Sequence, residues 1–209
     1  MSNLKNARYL KALFIDYIIE KIKDNDVIGS EIMFGSLKGI ADLVLLSEGL
    51  TFAYEVKAQN DDFRKIKLQL KEYNKTFDFV YVITTEKHLT KAINSITKNN
   101  GIILIYNDSS IRVFRESKQN YKLDKEELLS TMTIRFIEKK IQAPPRKISA
   151  YELRKSLEII DQNILKSRMY EFLYNRIRPR FDNFLAERGI KTHFEEIALL
   201  SFSNKKIKP

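Results

Sequence analysis

The sequence predicts an α/β fold: a mixed sheet flanked by helices, followed by a helical C-terminal extension. Three observations predict it. Short apolar runs of strand length crowd the first 120 of the 209 residues. Apolar residues at helical spacing separate some of those runs, and the remainder of the chain reads as basic helices. The expected division is a core at 1–120 and a basic helical region at 121–209.

Each element has its own warrant. Leu10, Leu13, Phe14, Tyr17, Ile18 and Ile22 share a helical face after the polar start Ser2-Asn3, which predicts one amphipathic helix to about Lys23. After Asn25-Asp26 come strand-like runs at 27–34, 41–46, 50–58, 79–84, 102–106 and 111–114. A helix over 61–76, with Phe63, Ile66, Leu70 and Tyr73 on one face, separates the third run from the fourth, and a helix over 88–98 precedes the fifth. Hairpins followed by strand–helix–strand crossovers imply a mixed sheet. Beyond residue 120, Ala143-Pro144-Pro145-Arg146 marks an internal break.

Composition narrows the chemistry. With no Cys there is no disulfide framework, thiolate zinc site or cysteine nucleophile. His88 and His193 are the only imidazoles, far apart in sequence and suited to structural roles, so a histidine mechanism lacks material. Carboxylate chemistry is what is left. No apolar stretch reaches the roughly 20 residues of a membrane span, and Lys11 and Asp16 interrupt any signal-like run. The expectation is a cytoplasmic protein with no membrane partner. The formal net charge of +10 favours a polyanion. It concentrates in residues 121–209, with 19 basic and 12 acidic side chains against 18 and 15 in residues 1–120.

The informative segment is 40–57, IADLVLLSEGLTFAYEVK. Ser47-Glu48-Gly49 supplies the glycine of a tight hairpin. With an even loop, Leu46 faces Thr51, Val44 faces Ala53, and Asp42 faces Glu55. Alternation then puts Glu55 and Lys57 on one face and Phe52, Tyr54 and Val56 on the other. Two opposed carboxylates repel unless a cation sits between them. Mg²⁺ suits such a place, because it takes oxygen ligands and needs only one or two carboxylates besides water and substrate phosphate. A solvated sheet rim with Lys57 paired to one acid is the plainer reading of the same residues, and a bulged loop would change the opposition.

At these residues the chain resembles the PD-(D/E)XK nuclease superfamily, with its restriction-endonuclease-like fold. More narrowly, it is similar to a small bacterial and phage family in that superfamily whose pattern is a glutamate, a basic residue, an Asp, Glu-x-Lys and Gln-x-x-x-Tyr. Here those places hold Glu31, Lys38, Asp42, Glu55, Lys57, Asp61, Gln69 and Tyr73, over about residues 1–115. The resemblance implies that Asp42 and Glu55 hold Mg²⁺ (or Mn²⁺) with the Val56 carbonyl, that Lys57 assists the nucleophilic water, that Glu31 is an auxiliary acid, and that Gln69 reaches the site from the next helix. It also implies hydrolysis of nucleic acid, with DNA favoured, leaving a 5′ phosphate. Lys38 and Lys65 stand where arginine is usual, which puts the clamping of the backbone in question. Tyr73 reads as core and Glu20 as solvated helix surface.

Phosphate contacts are expected from Lys38, Arg64 and Lys65 around the sheet and from Arg176, Arg178 and Arg180 in the C-terminal region. Those last three cannot share one helical face, and Pro179 is expected to break or kink their helix. A solvated helix packed through its aromatics suits the same text, as does a homodimer contact. The reading of the whole is a Mg-dependent nuclease; the alternative is a noncatalytic nucleic-acid-binding or protein-interaction module on the same fold.

Overall fold

Glu48 and Gly49 both take positive φ, 51° and 80°, the pair of left-handed conformations that a two-residue hairpin turn requires. At Gly49 a Cβ would meet only open space, so the demand there is conformational. The two-residue loop fixes the register: Ser47 opposes Leu50, Leu46 opposes Thr51 and Val44 opposes Ala53. The structure, a computed structural model, describes residues 3–142, 144 and 147–202. Of the sequence features above, Ser2, Ala143, Pro145 and Arg146 lie outside the described residues.

Around the hairpin, the described residues form a six-stranded mixed sheet in sequence order: β1 (Val27–Phe34), β2 (Gly39–Ser47), β3 (Leu50–Val56), β4 (Phe79–Thr85), β5 (Gly101–Ile105) and β6 (Ile111–Arg115). β3, β4 and β5 run parallel; the other neighbours are antiparallel. Parallel neighbours need crossovers, supplied by α2 (Ile66–Thr76) and α3 (Leu89–Ser95). The N-terminal helix is α1 (Ala7–Ile19); the C-terminal region folds as α4 (Lys125–Thr131), α5 (Ile134–Lys140), α6 (Ala150–Leu157), α7 (Gln162–Glu187) and α8 (Ile197–Leu200). The sheet is thus mixed and flanked by helices, as the sequence predicts.

Helix ends depart from the apolar periodicity for local reasons. α1 stops short of Lys23, whose N–H is taken by the Asp26 carboxylate. α2 starts five residues after Asp61, because Asp61 accepts Ala58 N–H and Asp62 accepts Arg64 N–H; such side-chain bonds compete with the helix. His88 belongs to a short 3-10 turn ahead of α3, buried, with Nε2 3.0 Å from the Gln59 carbonyl. Pro179 does not break α7, which runs continuously through it. The hydrogen bond lost at proline is outweighed by a buried stripe on both sides of it: Phe172, Leu173, Ile177, Phe181 and Phe184.

The side chains of Tyr54 and Glu55 point to opposite faces of the sheet, and each finds a helix. Phe14 of α1 packs on Tyr54 with ring centroids 4.7 Å apart, while Tyr73 of α2 bonds Glu55. α7 lies on the α2 side, with Ile177 against Gly29 of β1. Residues of both halves of the chain share a single hydrophobic core. The C-terminal region also holds the β1–β2 turn: Glu127 of α4 accepts Ser36 N–H at 2.6 Å and the Ser36 hydroxyl at 2.9 Å. Among the described residues no helix is long and apolar enough to cross a membrane.

Candidate active site

β2 and β3 separate just beyond the pair Leu43–Tyr54, where their ladder ends, while β2 stays paired to β1 as far as Gly39. The register carried one step further sets Asp42 opposite Glu55, and the Asp42 side chain fills this fork. Its Oδ2 accepts Val56 N–H at 2.9 Å, a bond that a strand carbonyl would otherwise make. Lys57 N–H meanwhile bonds the Ile83 carbonyl of β4. Strand peptide groups alternate in direction, so the Val56 carbonyl faces the fork with its N–H.

Glu55, 3% exposed, is the hub. Its Oε1 pairs with Lys57 Nζ at 2.8 Å and accepts Gln69 Nε2 at 2.8 Å. Its Oε2 accepts the Tyr73 hydroxyl at 2.7 Å, and that hydroxyl in turn accepts Asp42 N–H at 3.3 Å. Gln69 Oε1 takes a further bond from Lys57 Nζ at 3.1 Å. Asp42 Oδ1 is held by Lys11 Nζ at 2.9 Å, reaching the fork from α1 on the opposite face of the sheet. Two carboxylates and two ammonium groups therefore balance in a largely dry place.

Burial, and after it the neighbouring Asp42 charge, hold the Glu55 carboxyl above its ordinary 4.5; Lys57 and the Tyr73 hydroxyl oppose that rise. Tyr73 is pushed well above the ordinary phenol range, first by burial and then by Glu55 and Asp42. Its hydroxyl keeps its proton at neutral pH and donates it to Glu55.

The structure brings together Asp42, Glu55, Val56, Lys57 and Gln69. Glu31 lies within β1 at φ 54°, and its Oε2 accepts the Ser201 hydroxyl at 2.8 Å. Lys38, in the β1–β2 turn at φ 55°, donates to the Ser130 carbonyl at 3.3 Å. Arg64 is exposed and paired with Asp62, and Lys65 is exposed at the start of α2. The three C-terminal arginines diverge. Arg178 binds Asp182 and the Asp24 carbonyl, whereas Arg176 and Arg180 lie over the Phe202 ring.

Two participants were not read as site residues from sequence. Lys11 has a signal there: with Phe14, Ile15 and Ile18 it falls at three, four and seven residues' spacing, so it sits on the apolar stripe of α1 and is buried with it. Tyr73 reads as core and is buried, yet its hydroxyl joins the Glu55 carboxylate to the Asp42 backbone N–H; its signal is the four-residue spacing from Gln69.

The donors of Asp42, Glu55 and the Val56 carbonyl are all oxygen, which suits a hard divalent cation such as Mg²⁺ or Mn²⁺. Among the described residues no three His, Cys, Asp or Glu side chains gather into a metal-binding group; Asp42, Glu55 and the Val56 carbonyl are the groups that would hold such an ion. The rest of the coordination would come from water and substrate.

Residues 1–201 match the family model described as Bacteriophage P4 protein cII. The chain belongs to that family. Membership in the Bacteriophage P4 protein cII family spans the sheet, the fork and the C-terminal helices together. Among solved structures, a protein of unknown function from Silicibacter pomeroyi matches at 12% identity and a TM-score of 0.42, covering 91% of this chain and 97% of that one. No curated protein matches.

Proposed function

We propose that the protein is a metal-dependent nuclease that hydrolyses phosphodiester bonds of nucleic acid, with DNA the favoured substrate. One observation carries this reading: Asp42, Glu55, Lys57 and Gln69, separate in sequence, meet at the point where β2 and β3 part. Asp42 and Glu55, with the Val56 carbonyl, would hold Mg²⁺ or Mn²⁺. The bound ion supplies Lewis-acid stabilisation of charge on the phosphate and lowers the pKa of attacking water.

The chain's own residues do the remainder. Lys57 keeps an ammonium beside Glu55, where it orients the attacking water and offsets charge developing on a non-bridging oxygen. Gln69 fixes that ammonium by accepting from it while donating to Glu55. Tyr73 fixes the other oxygen of Glu55. Attack by water on phosphorus breaks the bond to the 3′ oxygen, which leaves with a proton as a hydroxyl, and the other product end is a 5′ phosphate.

One observation favours a second reading, a noncatalytic nucleic-acid-binding module. Lys11 and Lys57 already neutralise both acids, so the fork is balanced by protein groups alone. Incubation of the purified chain with single-stranded, double-stranded and branched DNA and with RNA, in Mg²⁺, Mn²⁺ or EDTA, decides between them. The nuclease reading expects metal-dependent cleavage that Asp42→Asn and Glu55→Gln abolish. Cleavage by neither metal on any substrate, or wild-type rates in both variants, rejects it.

A further inference from the structure

A cleft of about 660 Å³ opens beside the fork, between the β1–β2 edge and helices α4 to α7. It adjoins the site through Ile40, which lines it and whose carbonyl lies 3.2 Å from the Tyr73 hydroxyl. Glu31 lines it as well, and the pairs Ser30–Leu43 and Ile32–Ala41 place Glu31 across the strands from Asp42. A strand of nucleic acid leaving the fork in this direction enters the cleft.

Three cations, Lys38, Arg154 and Arg176, converge on its lining. Arg64, Arg168, Arg178 and Arg188 are each paired with a carboxylate. Among the described residues the three cations of the cleft have no such carboxylate. Among the described residues, Lys38 donates to the Ser130 carbonyl, Arg154 donates to the Leu129 and Met132 carbonyls, and Arg176 packs on the Phe172 and Phe202 rings at 5.1 and 4.9 Å. These bonds position the cations without neutralising them, which is the state a phosphate group meets best. Burial draws the Arg154 guanidinium below its ordinary range and, with the Arg180 charge, does the same to Arg176; an anion in the cleft relieves both.

The cleft is also apolar in part. Met33 and Ile40 form a cross-strand pair, 49% and 48% exposed, and Ile134 stands with them on the lining. A duplex offers a protein phosphates, sugars and groove edges. An unpaired strand offers base faces to apolar side chains as well.

We propose that this cleft seats a nucleotide of a single nucleic-acid strand, its phosphate against Lys38, Arg154 and Arg176 and its base against Met33, Ile40 and Ile134. The choice of ligand class rests on the nuclease reading of the adjoining fork; the charge and shape of the cleft do not.

The test is a binding titration in EDTA, which separates it from catalysis. Fluorescence anisotropy of a labelled single-stranded oligonucleotide is followed at several salt concentrations for four full-length proteins. These are the wild type, the cleft pair Lys38→Gln with Arg176→Gln, the charge-matched control Lys23→Gln with Arg168→Gln, whose side chains pair with Glu48 and Glu171 outside the cleft, and Arg176→Lys. The cleft pair should bind about tenfold more weakly, and its log K against log salt slope should flatten by about 1.4, since each lost single-strand phosphate contact contributes roughly 0.7. The control should stay within about twofold, Arg176→Lys should fall between, and a blunt duplex should compete more weakly than the single strand. Equal losses in the cleft and control pairs, an unchanged slope in a cleft pair with native circular dichroism, or tighter competition by duplex overturns the proposal. Should the cleft pair misfold, Arg176→Lys and Lys38→Gln alone carry the same comparison. Specific loss of binding in a protein that cleaves nothing keeps the cleft and rejects the nuclease, whereas cleavage with binding indifferent to the cleft does the reverse.

Discussion

The fork and the cleft lie side by side and treat charge in opposite ways. In the fork, Lys11 and Lys57 are paired at 2.9 and 2.8 Å with Asp42 and Glu55, and Gln69 and Tyr73 occupy the remaining directions of Glu55. In the cleft, Lys38, Arg154 and Arg176 are steadied by carbonyls and aromatic rings. A buried charge network is stable only when its members are satisfied, and in the fork each carboxylate has its ammonium partner. Cations that keep their charge at a partly open surface are available to a polyanion. Under the proposed function, the first region carries the chemistry and the second the grip.

The sharpest way to break that division is Lys57→Ala. If Lys57 serves chemistry, cleavage falls by about 10²-fold or more. Oligonucleotide affinity in EDTA changes by less than about twofold, because one lysine among 37 basic residues contributes little to phosphate attraction. Equal losses of both would move Lys57 to the gripping side of the comparison.

A smaller effect tests the closure of the fork. Tyr73→Phe removes the donor to a buried Glu55 oxygen and leaves the ring's packing intact. The variant should lose about 1–3 kcal/mol of stability in urea denaturation, and a loss near zero would mean that the hydroxyl is not part of the network.

Smaller still is the pH dependence of the metal-free protein. Glu55 holds its proton more tightly folded than unfolded, so its contribution to stability is full below its ordinary 4.5 and is lost as pH rises through the raised folded value. Asp42→Asn removes one cause of the rise and should lower the Glu55 titration midpoint, read by carboxyl NMR. A midpoint that moves upward would contradict the assigned coupling.

How much of this the sequence disclosed follows from the range of the interactions. The hairpin register and the opposition of Asp42 to Glu55 were legible because a two-residue turn and strand alternation are local rules. Gln69 was legible through its helix, which packs apolar side chains toward the sheet. Lys11 was not, because its partner lies 31 residues away across the sheet, and nothing in the helix text says which strand its buried stripe will meet. The continuity of α7 through Pro179 has the same origin: local propensity predicts a break, and tertiary packing of Ile177, Phe181 and Phe184 overrides it. The cleft draws on β1, the β1–β2 turn and several C-terminal helices, so Glu31, Lys38 and Arg176 stand out in the sequence for separate reasons and not as one surface.

The central claim is that the fork, balanced by lysines in the free protein, is a divalent-metal site. Anomalous diffraction from a crystal soaked in Mn²⁺, collected for the wild type and for Asp42→Asn, tests it most directly. The account predicts a strong peak within bonding distance of the Asp42 and Glu55 oxygens in the wild type and its loss in the variant. An empty fork in the wild type, with Lys11 still on Asp42 and Lys57 still on Glu55, would contradict it.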